Sequence, residues 1–354
     1  MNKNILIATG GSGGHIIPAL VFHDLLNRKF KSFISTDIRG FNYMNKKKYN
    51  FKIVNTPQIF NSFFLFPFKM ILIFYLTIQC IFFLKKHKID IVFSTGGYAP
   101  IPLCLASIFL KKKLFIYEPN QVIGKSNKFF LRYCNKIFCH SAKIKLFPNK
   151  FKHKIILLAP IVRDIFTKNK IKKSKTFNLM IIGGSQGAKI FDREIHKIIF
   201  ELSKKLNLKI IHQTNVKNID FLKNFYNKSK VKNKVFSFDN NIFKLIKSCN
   251  FCITRGGAST LAELFVLKIP FLVIPLKNSK DNHQYENAKF YREKNCCWIF
   301  DEKNLNNEKL FSKLNDIIFD KEEFESKKDS INKLNKKFNW SNQNKLILKE
   351  FDED

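Results

Sequence analysis

The chain has 354 residues, 45% of them hydrophobic, which is ample for two packed domains and excludes a disordered or fibrous polypeptide. Lys and Arg number 63 against 27 Asp and Glu, a net charge of +36. The basic residues are spread rather than striped, and no helix-turn-helix, zinc-finger or RNA-recognition pattern goes with them, so nucleic acid is not an expected partner.

In chain order, Met1-Asn2-Lys3-Asn4 runs straight into the apolar Ile5-Leu6-Ile7-Ala8. No signal-peptide stretch with a small-residue cleavage site precedes it, which predicts a cytoplasmic protein. Ile5–Ala8 reads as a buried strand, and Pro18–Lys29 as its helix. Between them lies the glycine-rich turn Gly10-Gly11-Ser12-Gly13-Gly14-His15. Such a turn lets backbone N–H groups approach a phosphate, and the helix behind it adds about half a positive charge. Lys31–Ser35 and Lys52–Asn55 are further strand candidates. Residues 63–84 form an aromatic, apolar run closed by Lys85-Lys86 and interrupted by Pro67 and Lys69. A spanning helix needs about 20 apolar residues. The interruptions, and the strand that resumes at Ile89, argue against a span. An internal helix and a helix that is buried on one side and dips into a bilayer surface both stay open.

Ile89–Thr95 reads as a buried strand ending in Gly96-Gly97-Tyr98. Lys113–Glu118 and Lys136–Cys139 are two more. From Ala159 to Thr176 the pattern lapses into a lysine-rich linker. A second alternation follows, with strands at Asn178–Ile182, Lys209–Gln213, Val235–Phe238, Phe251–Thr254 and Pro270–Ile274. Two of these end in turns of the phosphate type, Gly183-Gly184-Ser185-Gln186-Gly187-Ala188 and Arg255-Gly256-Gly257-Ala258-Ser259-Thr260. The fold class is α/β, with two Rossmann-like domains of parallel sheet covered by helices. The expected division is 1–162 and 163–338, with a C-terminal helix in 339–354 packing back on the first domain.

The eight cysteines form no metal or redox framework. Cys249 and Cys252 have CxxC spacing but no second pair, and the others are scattered or, at Cys296-Cys297, adjacent. No acidic cluster has metal-ligand spacing, so neither a metal nor another cofactor is expected.

Five stretches, in collinear order from Lys3 to about Glu302, together resemble the MurG family of peptidoglycan N-acetylglucosaminyltransferases. They are Gly10–His15 with Pro18-Ala19, Thr95–Tyr98 with Pro100, Gly183–Ala188, Arg255–Ala258 with Glu263, and Asp281–Ala288. The resemblance implies a two-Rossmann glycosyltransferase of the GT-B type. Such an enzyme moves N-acetylglucosamine from UDP-N-acetylglucosamine to the muramyl sugar of undecaprenyl-diphosphate-linked lipid I, with inversion, giving lipid II. It also implies the site residues. Ser12, Gly13 and Gly14 face sugar and diphosphate, with Tyr98 nearby. Asn120 contacts the donor sugar. Ser185 contacts the diphosphate, and the Phe238 backbone reads the uracil. Ala258, Ser259, Thr260, Leu261 and Ala262 form the helix start under the diphosphate. Glu263 binds the ribose, and Gln284 the N-acetylglucosamine hydroxyls. His15 and Glu118 both stand as candidates for the catalytic base. A peripheral place on the anionic cytoplasmic face of the inner membrane goes with the lipid acceptor.

The chain departs from that pattern in three places. Arg163 stands one residue further from Pro160 than expected, Tyr117 replaces a histidine before Glu118, and Gly256 replaces a serine. Each named residue also has a structural reading. His15 could satisfy a loop carbonyl, Glu263 could support the helix dipole, Gln284 could begin a helix, and Tyr98 could be packed. Two other functions fit the turns: a related transferase acting on another acceptor, or a nucleotide-sugar-binding protein without catalysis.

Overall fold

The computed structural model describes residues 3–11, 13–44, 49, 51–58, 65–163, 176–183, 190–237, 239, 242–338 and 340–353, and their side chains except at 280, 340 and 341. The chain forms two compact units, Met1–Arg163 with Asn339–Asp354, and Asp164–Phe338.

The first unit runs β1 (Asn4–Ala8), α1 (Gly13–Leu26), β2 (Lys31–Thr36), α2 (Ile38–Phe41), β3 (Phe51–Ile53), α3 (Phe66–Lys86), β4 (Ile91–Ser94), α4 (Ile101–Phe109), β5 (Lys113–Glu118), α5 (Lys125–Phe130), β6 (Lys136–Cys139) and β7 (Ile155–Leu157). Its seven strands are parallel, in the order β3-β2-β1-β4-β5-β6-β7. A parallel sheet buried on both faces needs apolar residues at every position, and β1 supplies them. Ile5 and Ile7 enter one core with Phe22, Phe93, Phe115 and Phe138. Leu6 and Ala8 enter the other, with Val92, Leu114, Ile116 and Leu84 of α3.

The C-terminal helix Trp340–Asp352 closes the first of these cores. The Phe351 ring is fully buried, 4.9 Å from Phe115 and stacked on Phe138 at 5.7 Å. At its rim, Lys136 Nζ pairs with Glu350 at 2.9 Å.

Helix α3 is neither internal nor wholly exposed. Ile73, Cys80 and Leu84 are buried along one stripe. The opposite face is bare: Phe68 is 69% exposed, Phe74 68% and Phe82 67%, with Ile71 and Tyr75 beside them.

The second unit runs β8 (Phe177–Ile182), α6 (His196–Ser203), β9 (Leu208–Gln213), α7 (Ile219–Lys228), β10 (Lys232–Phe236), α8 (Ile242–Ser248), β11 (Phe251–Thr254), α9 (Ala258–Val266), β12 (Phe271–Val273), α10 (His283–Arg292), β13 (Cys297–Ile299), α11 (Asn307–Phe319) and α12 (Lys321–Lys336). Six parallel strands are ordered β10-β9-β8-β11-β12-β13. Leu179, Ile181, Phe251, Ile253 and Leu272 share a core with α6, α7 and α11.

Candidate functional site

In each sheet the strand order reverses once. The reversal falls between β1 and β4 in the first unit and between β8 and β11 in the second. Neighbouring connections leave such a point on opposite faces, so a crevice opens beyond the carboxyl ends of the strands, where ligands of open α/β sheets bind. The glycine turns occupy these positions: Gly10–Gly14 follows β1, Gly96-Gly97 follows β4, and Gly256-Gly257 follows β11. Gly183 follows β8, while Ser185 of that turn, like Ser12 and Phe238, lies outside the described residues.

The two turns of the first unit are tied together. Thr95 Oγ1 donates to Thr9 Oγ1 at 2.8 Å, both residues being buried. Gly10 leaves no room for a side chain, since a Cβ there would lie 2.3 Å from that of Ala99. Gly96 and Gly97 take φ of +89° and +82°, a region that side chains disfavour. The imidazole of His15 packs on this turn, with Nδ1 2.8 Å from the Thr95 carbonyl oxygen. A carbonyl can only accept, so Nδ1 carries the proton, and in the neutral ring Nε2 has the free lone pair. His15 is half-buried, and so is its neighbour Gly11, whereas Gly13 is buried and Gly14 exposed.

Glu118 ends β5 and is 1% exposed. Its Oε1 accepts from the Asn120 backbone N–H at 3.1 Å and from Asn120 Nδ2 at 3.0 Å. Its Oε2 accepts from the Gly124 N–H at 2.8 Å and from Asn127 Nδ2 at 2.9 Å. A buried carboxylate with four donors is committed to holding its loop. Asn127 then carries the order onward, because a Cβ on Gly96 would lie 3.1 Å from Asn127 Nδ2 and 3.4 Å from His15 Cε1. Tyr117 faces away from this group. Its hydroxyl lies 2.7 Å from His140 Nε2, and His140 Nδ1 lies 3.3 Å from the Leu158 carbonyl oxygen. Burial lowers the His140 pKa to about 4, so the ring is neutral and accepts from Tyr117. Arg163 closes the unit in sequence and is half-buried.

In the second unit, Ala258, Ser259 and Thr260 open α9 and are half-buried. Leu261, Ala262 and Glu263 follow as buried residues. No side chain caps this helix, and a Cβ on Gly257, its N-cap, would meet nothing within 4 Å. A helix start of this kind carries the positive end of the helix dipole, where anions bind. Gly256 has the opposite role. A Cβ there would lie 2.0 Å from the Gln284 backbone oxygen, so α9 and α10 converge only because that position is glycine. Asn287 Nδ2 donates to the Gly256 carbonyl at 2.9 Å and locks the approach. Gln284 Oε1 accepts from the Leu276 N–H at 2.9 Å. Just ahead of α10, Asp281 and Asn282 have φ of 52° and 54°, two successive left-handed residues that are not glycine. Backbone held in this region is less favourable for residues with a side chain, though Asp and Asn tolerate it best.

Several supporting residues have no sequence signature. Asn127 is an ordinary helix-start asparagine, while Asn287 lies inside the Asp281–Ala288 stretch, which gives it no role of its own. Arg255 is inside the turn yet serves structure: it pairs with Glu302 at 2.7 Å, donates to the Ile274 carbonyl at 2.9 Å and stacks on Phe191. Further in, His212 Nε2 lies 3.5 Å from buried Asp192, whose Oδ2 accepts from Asn218 Nδ2 at 2.7 Å. Burial lowers the His212 pKa. For Asp192 burial acts upward, but its hydrogen bonds outweigh burial and its pKa is lowered.

Comparison with known proteins agrees with this geometry. Residues 5–139 match the glycosyltransferase family 28 N-terminal domain, and residues 178–343 match the family 28 C-terminal domain. The chain is 44% identical over 350 residues to the UDP-N-acetylglucosamine--N-acetylmuramyl-(pentapeptide) pyrophosphoryl-undecaprenol N-acetylglucosamine transferase of Pelagibacter ubique, covering 98% of both chains. It is 34% identical to the enzyme of the same name from Rickettsia prowazekii, covering 95% of both. The crystal structure of Acinetobacter baumannii MurG shares the fold, with a TM-score of 0.75 at 21% identity over 98% of each chain. Two matched family 28 domains and this identity over nearly the whole length place the chain in the MurG family of N-acetylglucosaminyltransferases.

Proposed function

We propose that the second unit binds UDP-N-acetylglucosamine and that the first supplies the base and receives the acceptor. The chain is a UDP-N-acetylglucosamine-dependent glycosyltransferase that converts lipid I to lipid II. The observation that carries the division of labour is the placement of the glycine turns at both strand-order reversals. UDP leaves with two negative charges near the broken bond. The start of α9, at Ala258, Ser259 and Thr260, brings the positive end of a helix dipole to that charge. Glu263 and Gln284 bind the ribose and the sugar hydroxyls, with Ser185 and the Phe238 backbone completing the nucleotide site. Tyr98, Asn120 and Arg163 contact substrate from the first unit.

Chemistry follows from the His15 tautomer. The acceptor hydroxyl attacks the anomeric carbon, its proton passes to Nε2, and the UDP oxygen leaves with the bonding electrons, which inverts the centre. The resulting imidazolium is steadied by the Thr95 carbonyl at Nδ1. Glu118 orders the loop beside the base and does not take the proton.

The bare face of α3 is the membrane surface of this reading. By length and composition α3 is long and apolar enough to cross a bilayer, with a mean hydropathy of 1.9. Spanning would withdraw Ile73, Cys80 and Leu84 from the core they fill. Lying in the interface costs nothing of that kind, and Lys85 and Lys86 at its end face anionic lipid. The enzyme is thus peripheral, on the cytoplasmic face of the inner membrane.

Titration calorimetry of UDP-N-acetylglucosamine against wild type and Glu263→Ala tests the donor assignment. Loss of a hydrogen bond to a charged group costs roughly 1.5–3 kcal/mol, about tenfold or more in affinity. Equal affinity in a folded variant removes Glu263 from the donor site.

A further inference from the structure

Beside the first glycine turn stands a charged group that the reading above does not use. Asp37 caps α2 and is buried. Its Oδ1 accepts from the Gly11 N–H at 2.8 Å and from the Gly40 N–H at 2.9 Å. Its Oδ2 accepts from Arg39 Nη2 at 2.8 Å and Nε at 3.0 Å. The guanidinium lies over the Tyr98 ring, 4.9 Å from its centroid, and the Tyr98 hydroxyl accepts from Gln58 Nε2 at 3.0 Å. Asp37 thus joins the turn after β1 to Arg39, and Tyr98 joins Arg39 to the turn after β4.

The pair is polarised. The Asp37 side chain is 5% exposed and that of Arg39 45%. The negative end is sunk beneath the turn and saturated by four donors, while the positive end beside Gly11 is half-exposed. A guanidinium held along one edge by a carboxylate and on its face by an aromatic ring has lost little freedom still to be lost on binding. A helix serving only to end a turn would not need a fixed, half-exposed cation there.

We propose that Arg39, whose Nη2 lies beside Gly11, binds the diphosphate of the lipid acceptor through the guanidinium N–H groups that Asp37 does not take, with Asp37 and Tyr98 as its positioning residues. This rests on the glycosyltransferase reading and adds the group that recognises the acceptor's anion. It gives Tyr98 a part beyond its own substrate contact: its ring also holds the arginine.

The test compares wild type with Arg39→Gln and with the paired Asp37→Asn/Arg39→Gln, which leaves no buried carboxylate without its cation. Two acceptors are used, a short-chain lipid I analogue and the same muramyl peptide as an uncharged alkyl glycoside. Arg39 as an anion ligand predicts an acceptor KM raised about tenfold or more for the diphosphate and unchanged for the alkyl glycoside, with the donor KM constant. An unchanged KM for the diphosphate acceptor in the paired variant overturns the proposal. So does an equal rise on both acceptors, which makes the arginine structural. Should wild type transfer to neither acceptor, it is the transferase reading that fails. Inorganic pyrophosphate binding by calorimetry, in the presence of saturating UDP, then judges Arg39 alone: weaker binding in the paired variant supports the site, and equal binding removes it.

Discussion

His15 and Glu118 are both polar side chains at the carboxyl end of the first sheet, and their hydrogen bonds separate their roles. Nδ1 of His15 is spent on the Thr95 carbonyl and Nε2 is available, whereas both oxygens of Glu118 are engaged by Asn120, Gly124 and Asn127. His15→Ala should lower kcat roughly 10²–10⁴-fold while the donor Kd stays the same. Single-turnover transfer together with donor calorimetry checks this, and near-normal turnover in a folded, donor-binding variant would refute the base assignment. The motif residues were legible because glycine and histidine declare themselves in sequence. Asp37 was not. Its bond to the Gly11 N–H spans 26 residues and exists only because β2 lies beside β1, so no local pattern joins the two. Likewise Gly256 read as part of a phosphate turn, and only the fold adds that Gln284 lies against it.

Among the elements, α3 carries the most consequence. Its sequence is apolar all round, and a uniformly apolar helix cannot announce which side is core. The fold decides it: one stripe packs under the sheet, and the other presents Phe66, Phe68, Phe74 and Phe82 to the outside. Because those rings are exposed, replacing Phe66, Phe68 and Phe74 by Ser should leave the melting temperature within a few degrees of wild type. The same variant should release the protein from anionic liposomes in a sedimentation assay, with donor binding intact. Unfolding of the variant would mean that this face is core after all. The strands that escaped sequence reading, β7 and β13, are three residues each; β3 and β12 are as short and were read only within the longer runs Lys52–Asn55 and Pro270–Ile274. The longer ones, such as Lys113–Glu118 and Phe251–Thr254, were legible from their unbroken apolar runs. Phe64, within the apolar run 63–84, lies outside the described residues.

At the scale of the whole molecule, several buried groups tie stability to pH. His140 has its pKa lowered to about 4 from 6.5 by burial, and burial lowers that of His196 and His212 as well. A histidine that resists protonation when folded binds fewer protons than the unfolded chain below pH 6.5. The folded state therefore loses stability as pH falls from about 6.5 toward about 4, and the loss from His140 levels off below that. Urea midpoints between pH 7 and pH 4 should fall less steeply for His140→Gln than for wild type, and parallel curves would show that His140 is not a contributor. The C-terminal helix belongs to the same scale. Its amphipathic pattern was visible, but its place in the first unit depends on Phe351 filling a gap among Phe93, Phe115 and Phe138.

The central claim is that this chain moves N-acetylglucosamine from its UDP carrier to a lipid-linked muramyl peptide with His15 as base. Transfer of radiolabel from UDP-N-acetylglucosamine to a lipid I analogue, with UDP-glucose as the control donor, tests it most directly. A labelled disaccharide lipid is expected from UDP-N-acetylglucosamine, little or none from UDP-glucose, and a loss of roughly 10²-fold or more in His15→Ala. Absence of labelled lipid with a folded, donor-binding wild-type protein, or equal transfer by His15→Ala, would contradict it.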